Sequence, residues 1–396
     1  MHPFEKIYQD SIDSGVLAGV TLAAQNRDGS FKYNKSFGTR SLRAGSEDLP
    51  MQSDTILWIA SCTKLMTAIA ALQYVERGLI GLDDDVETIL PEVGKFGVLT
   101  GLDDVGEPVL VPKEGKITLR KLMCHTSGYT YDLMDPNLTK WRKTQGQEPW
   151  QGETIEEKCT MPTIFQPGSS WIYGAGVDWV GKLIERVSGE TLEVYMAKHI
   201  WNPLNIKDIT FFPERNPDLK DRMAHISSLD PSGGKSFPVP DDFDMNAGCK
   251  ECMGGGGVYT SADTYMQLLV AVLNADPKLL APESWKELFK PQLEQQQVEA
   301  MQAVMSSPEL GSFYRMYIPT TAKKNWSFGG LLLEEGCEGM SGGTMLWGGV
   351  PCLTWFVDRE AGVCGFAGTQ MVPPMAPTIV GLHGNFHREI LGIAKE

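Results

Sequence analysis

Ser61-Cys62-Thr63-Lys64 sets a hydroxyl and an ammonium three residues apart. In a helix, residues i and i+3 share a face, so the Lys64 ammonium can reach the Ser61 hydroxyl. Such a pair suits nucleophilic acyl chemistry, in which the serine attacks a carbonyl and a neighbouring cation eases the loss of its proton. If Ser61 opens the helix, the unpaired N–H groups and positive dipole end there also favour a developing oxyanion. A chain of this length holds roughly one or two Ser-x-x-Lys matches by chance at ordinary residue frequencies. Ser232-Gly233-Gly234-Lys235 is a second match, in a Pro/Gly-rich loop with no helix to align it. Taken alone, Ser61 also reads as an N-cap serine followed by a solvated lysine. The surrounding elements must decide.

The approach to Ser61 is apolar (Ile56-Leu57-Trp58-Ile59-Ala60), and a helix-forming run from Leu65 continues to about Arg77 and stops at Gly78. Upstream, residues 4–14 read as an amphipathic helix, with strands over 16–26 and 31–40 joined by a turn at Asn26–Ser30. Residues 92–170 shift to loops and short helices, with a Gly-rich acidic surface insertion at 96–115 and a helix over 117–123. Helices are expected over 178–188, 191–200, 261–275 and 282–304, while 208–250, rich in Pro, Asp and Gly, is expected to line a cleft. After about residue 310 the pattern turns strand-like at 312–318, 325–333, 344–347, 351–357 and 362–369, and a helix over 376–393 closes the chain. Strands at both ends with helices between imply an α+β fold, in which an antiparallel sheet from both termini carries an inserted, mostly helical lobe. The lobes are expected at 1–92 with 308–396, and at 93–307, with the active site between them.

With 396 residues, 42% hydrophobic and 21% charged, the chain suits two lobes around a cleft. A formal charge of -15 argues against nucleic acid and anionic membranes as partners. Met1-His2-Pro3-Phe4-Glu5-Lys6 has no basic n-region and no long apolar stretch, and no run of 18 apolar residues follows, so a cytoplasmic protein without a membrane span is expected. The eight cysteines then read as reduced thiols. Cys249 and Cys252 are the only close pair, and no second Cys/His pair accompanies them as structural zinc requires. No metal and no cofactor is expected.

Two further motifs join Ser61-x-x-Lys64. Tyr173 lies in Gln166-Pro167-Gly168-Ser169-Ser170-Trp171-Ile172-Tyr173-Gly174-Ala175-Gly176-Val177-Asp178, and Trp347-Gly348-Gly349 precedes an apolar strand. The set resembles the serine β-lactamase and penicillin-binding-protein superfamily, within the branch of class-C-like carboxylesterases and fungal transesterases of lovastatin-type biosynthesis. The segments Leu122–Gly128, Gly254–Ala262 and Gly368-Thr369-Gln370 also fit, so the resemblance covers roughly residues 5–390. It implies Ser61 as nucleophile, Lys64 as its cationic partner and Tyr173 as the general base that later returns the proton to the leaving group. A phenol of pKa about 10 needs a nearby cation to act as a base at neutral pH. The resemblance also implies an oxyanion hole made of the Ser61 and Val350 N–H groups.

Two departures bear on substrate. Ala175 stands where β-lactam-active members carry Asn in Tyr-x-Asn, and Trp347 replaces the cation that receives the carboxylate of β-lactams and D-Ala-D-Ala peptides. An indole offers an apolar face instead of a charge-assisted contact. Apolar, uncharged esters or thioesters are therefore the expected donors, and antibiotic hydrolysis at best a side activity. Trp347, Gly348, Gly349, Tyr129, Trp326 and Phe328 are expected at the substrate, with Tyr131, Trp141 and Trp150 as further cleft walls. The expected reaction is acyl transfer through a Ser61 acyl-enzyme, with a small-molecule acyl donor and alcohol acceptor as partners. The acyl group can be collected from an acyl carrier protein. Water as acceptor gives a carboxylesterase or thioesterase instead. A catalytically silent binding protein is the alternative of another class, against which the intact Ser61, Lys64 and Tyr173 argue.

Other chemical residues read as structural. Ser341, in Gly339-Met340-Ser341-Gly342-Gly343, lacks the following helix of a nucleophile elbow. His125 fits a structural turn, His383 and His387 a surface helix, the glycines 254–257 tight packing near the cleft, and Cys62 a buried position.

Overall fold

The computed structural model describes residues 2–45, 49–240, 245–246 and 248–394. Two strands near the N-terminus, β1 (Gly19–Asn26) and β2 (Lys32–Gly38), join five from the last quarter of the chain. These are β3 (Lys324–Trp326), β4 (Leu331–Leu333), β5 (Met345–Gly349), β6 (Leu353–Asp358) and β7 (Val363–Gly368). They form one antiparallel sheet in the order β3-β4-β5-β6-β7-β1-β2. Thr21 opposite Gly368 and Ala24 opposite Gly365 knit the two ends of the chain together.

Helices cover both faces. Trp355 and Phe366 are register partners, so they share a face. Phe366 packs 5.3 Å from Tyr265 of the helix Ala262–Leu273. Phe356, one residue along and on the other face, lies 4.6 Å from His387 of the helix Pro377–Ile393. With water excluded from both sides, β6 and β7 bury every residue and lose the polar/apolar alternation of a one-sided sheet.

We label the site-bearing helices α1 (Pro3–Asp13), α2 (Thr63–Glu76), α3 (Gly176–Ser188), α4 (Ala262–Leu273) and α5 (Pro377–Ile393). α2 is buried from Thr63 to Tyr74, as expected of a helix that is apolar all round.

Several elements differ from the sequence reading. Residues 312–318, expected as a strand, contain the helix Gly311–Arg315, because Tyr314 is drawn under Trp171 and Tyr173 (centroids 6.1 and 5.5 Å away). Packing here overrides the strand propensity of its aromatic residues. The span 325–333 is a hairpin, closed where Ser327 N–H donates to Gly330 O at 2.9 Å. The helix expected at 282–304 is two, Pro282–Leu288 and Gln295–Ser306, divided around Pro291. The surface insertion is a hairpin of Val98–Leu102 with Pro108–Val111. From 208–250, Ser227–Ser228 pairs with Met371–Val372 and only Met245 and Asn246 line the cavity described below; residues 241–244 and 247 lie outside the described residues. His383 and His387 are not on a surface: both are fully buried, because this face of α5 packs against α1 and the sheet.

One buried ion pair shapes the cavity wall. Arg142 Nε donates to Asp132 Oδ2 at 2.8 Å, and both side chains are almost wholly buried. The same oxygen accepts the Trp150 N–H at 3.1 Å, which ties Trp150 to the turn after Tyr131. Arg142→Met strands a buried carboxylate, so we expect a loss of about 3–5 kcal/mol in urea unfolding. Acyl-transfer activity should fall with it, since Tyr131 and Trp150 lose their anchor.

Candidate active site

The strand Leu57–Trp58, paired with Tyr259–Thr260, leads into a single 3₁₀ turn, Ala60–Cys62, from which α2 continues. Ser61 thus precedes the α-helix by two residues rather than opening it. Ala60 sits at φ +43°, a left-handed conformation that costs a non-glycine residue about 1–3 kcal/mol and marks a turn held by its surroundings. β5 supplies part of that hold. A Cβ on Gly349 would lie 2.4 Å from Ile59 O, so glycine alone lets the strand end come this close to the Ser61 turn. Gly348, Gly349 and Val350 then line a small recess together with Ser61, Tyr173 and Trp347.

Lys64 is 2% exposed, and all three of its ammonium donors have acceptors. They reach Ser61 Oγ at 3.2 Å, Tyr131 Oη at 3.1 Å and Gly255 O at 2.6 Å. Burial lowers its pKa to about 8, against the opposing pull of the Asp178 carboxylate. Asp178, on the first turn of α3, is 1% exposed; burial raises its pKa and the charge of Lys64 restrains the rise. Its Oδ1 accepts the Gly255 N–H at 2.8 Å, which holds the glycine loop whose carbonyl receives Lys64. A Cβ on Gly255 would lie 2.5 Å from Asp178 Oδ2. The loop is glycine because it packs between α2 and α3, and it holds Lys64 through its backbone.

Tyr173 is 2% exposed, and burial pushes its phenol up while hydrogen bonds from Ser61 and Trp347 pull it down. The Trp347 indole N–H donates to the Tyr173 oxygen at 3.0 Å, and the Lys64 ammonium lies 4.7 Å from the Tyr173 ring centre. Lys64, Ser61, Tyr173 and Trp347 therefore form one connected chain. It can pass a proton from Ser61 to Tyr173 while an ammonium and an indole N–H face the oxygen chemistry.

Above Ser61 opens a cavity of about 210 Å³ lined almost entirely by apolar groups, among them Trp58, Tyr131, Leu133, Met134, Trp150, Met245 and Phe313. Several expected substrate residues do not reach it. Tyr129 is fully buried and its hydroxyl accepts the Gly94 N–H at 2.9 Å. Phe328 sits under Arg120, 5.8 Å from its guanidinium. Trp326 lies one layer deeper, edge-on to Trp347 at 4.6 Å, and Trp141 packs on Phe96. Large aromatic residues serve core and cleft equally, and composition does not separate them.

His125 takes φ +61°, its Nδ1 accepts the Gly174 N–H at 3.3 Å, and burial keeps it neutral beneath Tyr173. Ser341 lies in the turn before β5, where its N–H donates to Asp358 Oδ2 at 2.8 Å. Ser232 closes a turn on Asp230 while Lys235 packs over Gly15, so that pair never meets. Sequence reasoning missed the roles of Tyr131, Asp178 and the Gly255 carbonyl. An acidic residue between the apolar Val177 and Trp179-Val180 was the available signal for Asp178.

The sheet from both termini, with a Ser-x-x-Lys turn packed against the end of its inner strand β5, defines a β-lactamase/transpeptidase fold. The sequence matches the Beta-lactamase family over residues 4–376, and the chain belongs to that family. It is 38% identical over 370 residues to a lovastatin esterase of Penicillium rubens, covering 93% of this chain and 92% of the relative. It is 34% identical over 392 residues to a monacolin J acid methylbutanoyltransferase of Aspergillus terreus, covering 98% and 94%. A mutant simvastatin synthase from Aspergillus terreus superposes with a TM-score of 0.91 at 35% identity, over 99% of this chain and 94% of that one. The chain is an enzyme of serine acyl transfer, an acyltransferase or esterase. Among the described residues no helix is long and apolar enough to cross a membrane.

Lys64 and Tyr173 share two protons, and the pair can act as a base once one of them has left. If Ser61 chemistry uses this pair, activity should rise with pH as the proton leaves, near the value of about 8 to which burial lowers Lys64. Asp178→Asn removes a negative charge that helps the pair keep its second proton, so the rising limb of kcat/KM should move to lower pH. An unmoved limb would mean that Asp178 does not govern this ionisation.

Proposed function

We propose that Ser61 attacks the carbonyl of an apolar ester or thioester and holds the acyl group, which then passes to the hydroxyl of a small-molecule acceptor. Tyr173 takes the serine proton and returns it to the leaving group. Lys64, and in place of a second cation the Trp347 N–H, stabilise the phenolate. The N–H groups of Ser61 and Val350 receive the oxyanion. The single observation that carries this reading is the chain Lys64–Ser61–Tyr173–Trp347 at the floor of an apolar cavity.

The cavity supports a short apolar acyl group, because few polar atoms face it to satisfy a charged one. The names of the relatives, monacolin J acid methylbutanoyltransferase and lovastatin esterase, support a short branched acyl group and a small-molecule acceptor of the monacolin J acid kind. A thioester donor can be presented free or on an acyl carrier protein. The esterase name also supports hydrolysis as a second outcome of the same acyl-enzyme. Eight free cysteines favour the reducing cytoplasm as the site of action. We read the substrate as entering between a sheet lobe, 1–92 with 308–396, and the inserted lobe 93–307.

Mixing the enzyme with a methylbutanoyl thioester should add one acyl mass to Ser61, and Ser61→Ala should lose both the adduct and turnover. An adduct that survives in Ser61→Ala would exclude Ser61 as the nucleophile.

Trp347→Phe keeps the ring and removes the N–H. It should lower kcat by about tenfold or more, as for the loss of a hydrogen bond used in the transition state, while KM for a neutral ester stays nearly constant. Tyr173→Phe and Lys64→Ala should each cost several orders of magnitude, and their double variant little more than either.

A further inference from the structure

We infer that His383, on α5 and remote from the cavity, is a positioning residue that holds the oxyanion-binding end of β5 through a Tyr8–His383–Cys352 hydrogen-bond relay. The inference rests on the Ser61/Val350 reading above and names what fixes Val350 in place.

The chain after β5 turns back on itself at Val350-Pro351-Cys352. Cys352 N–H donates to Val350 O at 2.7 Å, and Cys352 takes φ +57°, a left-handed conformation unusual for a residue with a Cβ. Such a turn persists only when its surroundings hold it. His383 Nε2 meets Cys352 O at 2.8 Å and His383 Nδ1 meets Tyr8 Oη at 2.7 Å. A carbonyl can only accept, so Nε2 carries the proton and Nδ1 accepts from the tyrosine. The ring is fully buried and burial lowers its pKa to about 4, so this neutral tautomer is the one present at neutral pH. The Cys352 carbonyl sets the tautomer and Tyr8 fixes the ring's angle: without its hydroxyl, Nδ1 is left buried and unpaired, and the ring is free to tilt away from the carbonyl.

Secondary contacts brace the same turn. Thr369 Oγ1 donates to Pro351 O at 2.7 Å and lies 3.3 Å from Cys352 O, and the Ala376 N–H points to Cys352 Sγ at 3.3 Å. His383 is the link from this turn to α1 and α5, so both ends of the chain hold Val350 from behind. Val350 faces the cavity beside Ser61. A displaced Val350 N–H costs transition-state binding and leaves ground-state binding largely alone.

The test compares Tyr8→Phe, His383→Gln and His383→Leu with wild type, using p-nitrophenyl butyrate turnover and inhibition by phenylboronic acid, whose serine adduct is tetrahedral. His383→Leu should lose about tenfold in both kcat and boronate affinity with KM nearly unchanged, because an oxyanion donor is worth that much or more. His383→Gln, whose amide can both donate and accept, should recover most of the loss. Tyr8→Phe should show a smaller loss of the same pair, and it decides alone if His383→Leu does not fold. Wild-type kcat and boronate affinity in Tyr8→Phe, or a fall in kcat without one in boronate affinity, would overturn the relay. If phenylboronic acid failed to bind wild type, the Ser61 reading itself would fall and the relay's role with it.

Discussion

The site depends on a buried ammonium. Taking Lys64 out of water costs several kcal/mol even after relaxation, so its charge survives only where every donor is met and a countercharge lies near. Ser61, Tyr131 and the Gly255 carbonyl meet the donors, and Asp178 supplies the negative charge. Each partner then constrains something else. Gly255 must be glycine to pass Asp178, α3 must begin where Asp178 can hold the loop, and α2 must be buried along its length to keep the ammonium still.

Trp347 changes the electrostatics of this arrangement. An indole N–H at 3.0 Å from the Tyr173 oxygen offers a dipole and not a full charge. Trp347 sets an apolar ring, with no charge of its own, into the wall of the recess beside Ser61. Trp326 and His125 pack Trp347 and Tyr173 into one aromatic block, so the ring that donates the hydrogen bond is not free to rotate away from it.

The sheet contributes through close approach. Gly348 and Gly349 allow β5 to slide against both the neighbouring strand and the Ser61 turn, at distances no side chain permits. The chain then turns sharply at Cys352, and the helices at the two termini, α1 and α5, close over the back of that turn. The face that carries Ser61 is thus built on deeply packed structure, which suits a site whose donors are held fixed.

The amino-acid sequence by itself determined the class of chemistry, the fold class and the approximate places of most strands. Ser61 and Lys64 were legible because one helical turn encodes their contact, and Tyr173 and Trp347 because short motifs surround them. Only the tertiary structure decided what those groups touch. Lys64 meets Tyr131 and Gly255 across 67 and 191 residues, and Trp347 meets Tyr173 across 174. No periodicity within a single element carries such contacts. The same limit explains why Tyr129, Trp326 and Phe328 were expected in the cleft and lie in the core. It also explains why His383 was expected at a surface and lies buried. Residue type states what a side chain can do, and packing over long separations decides where it faces.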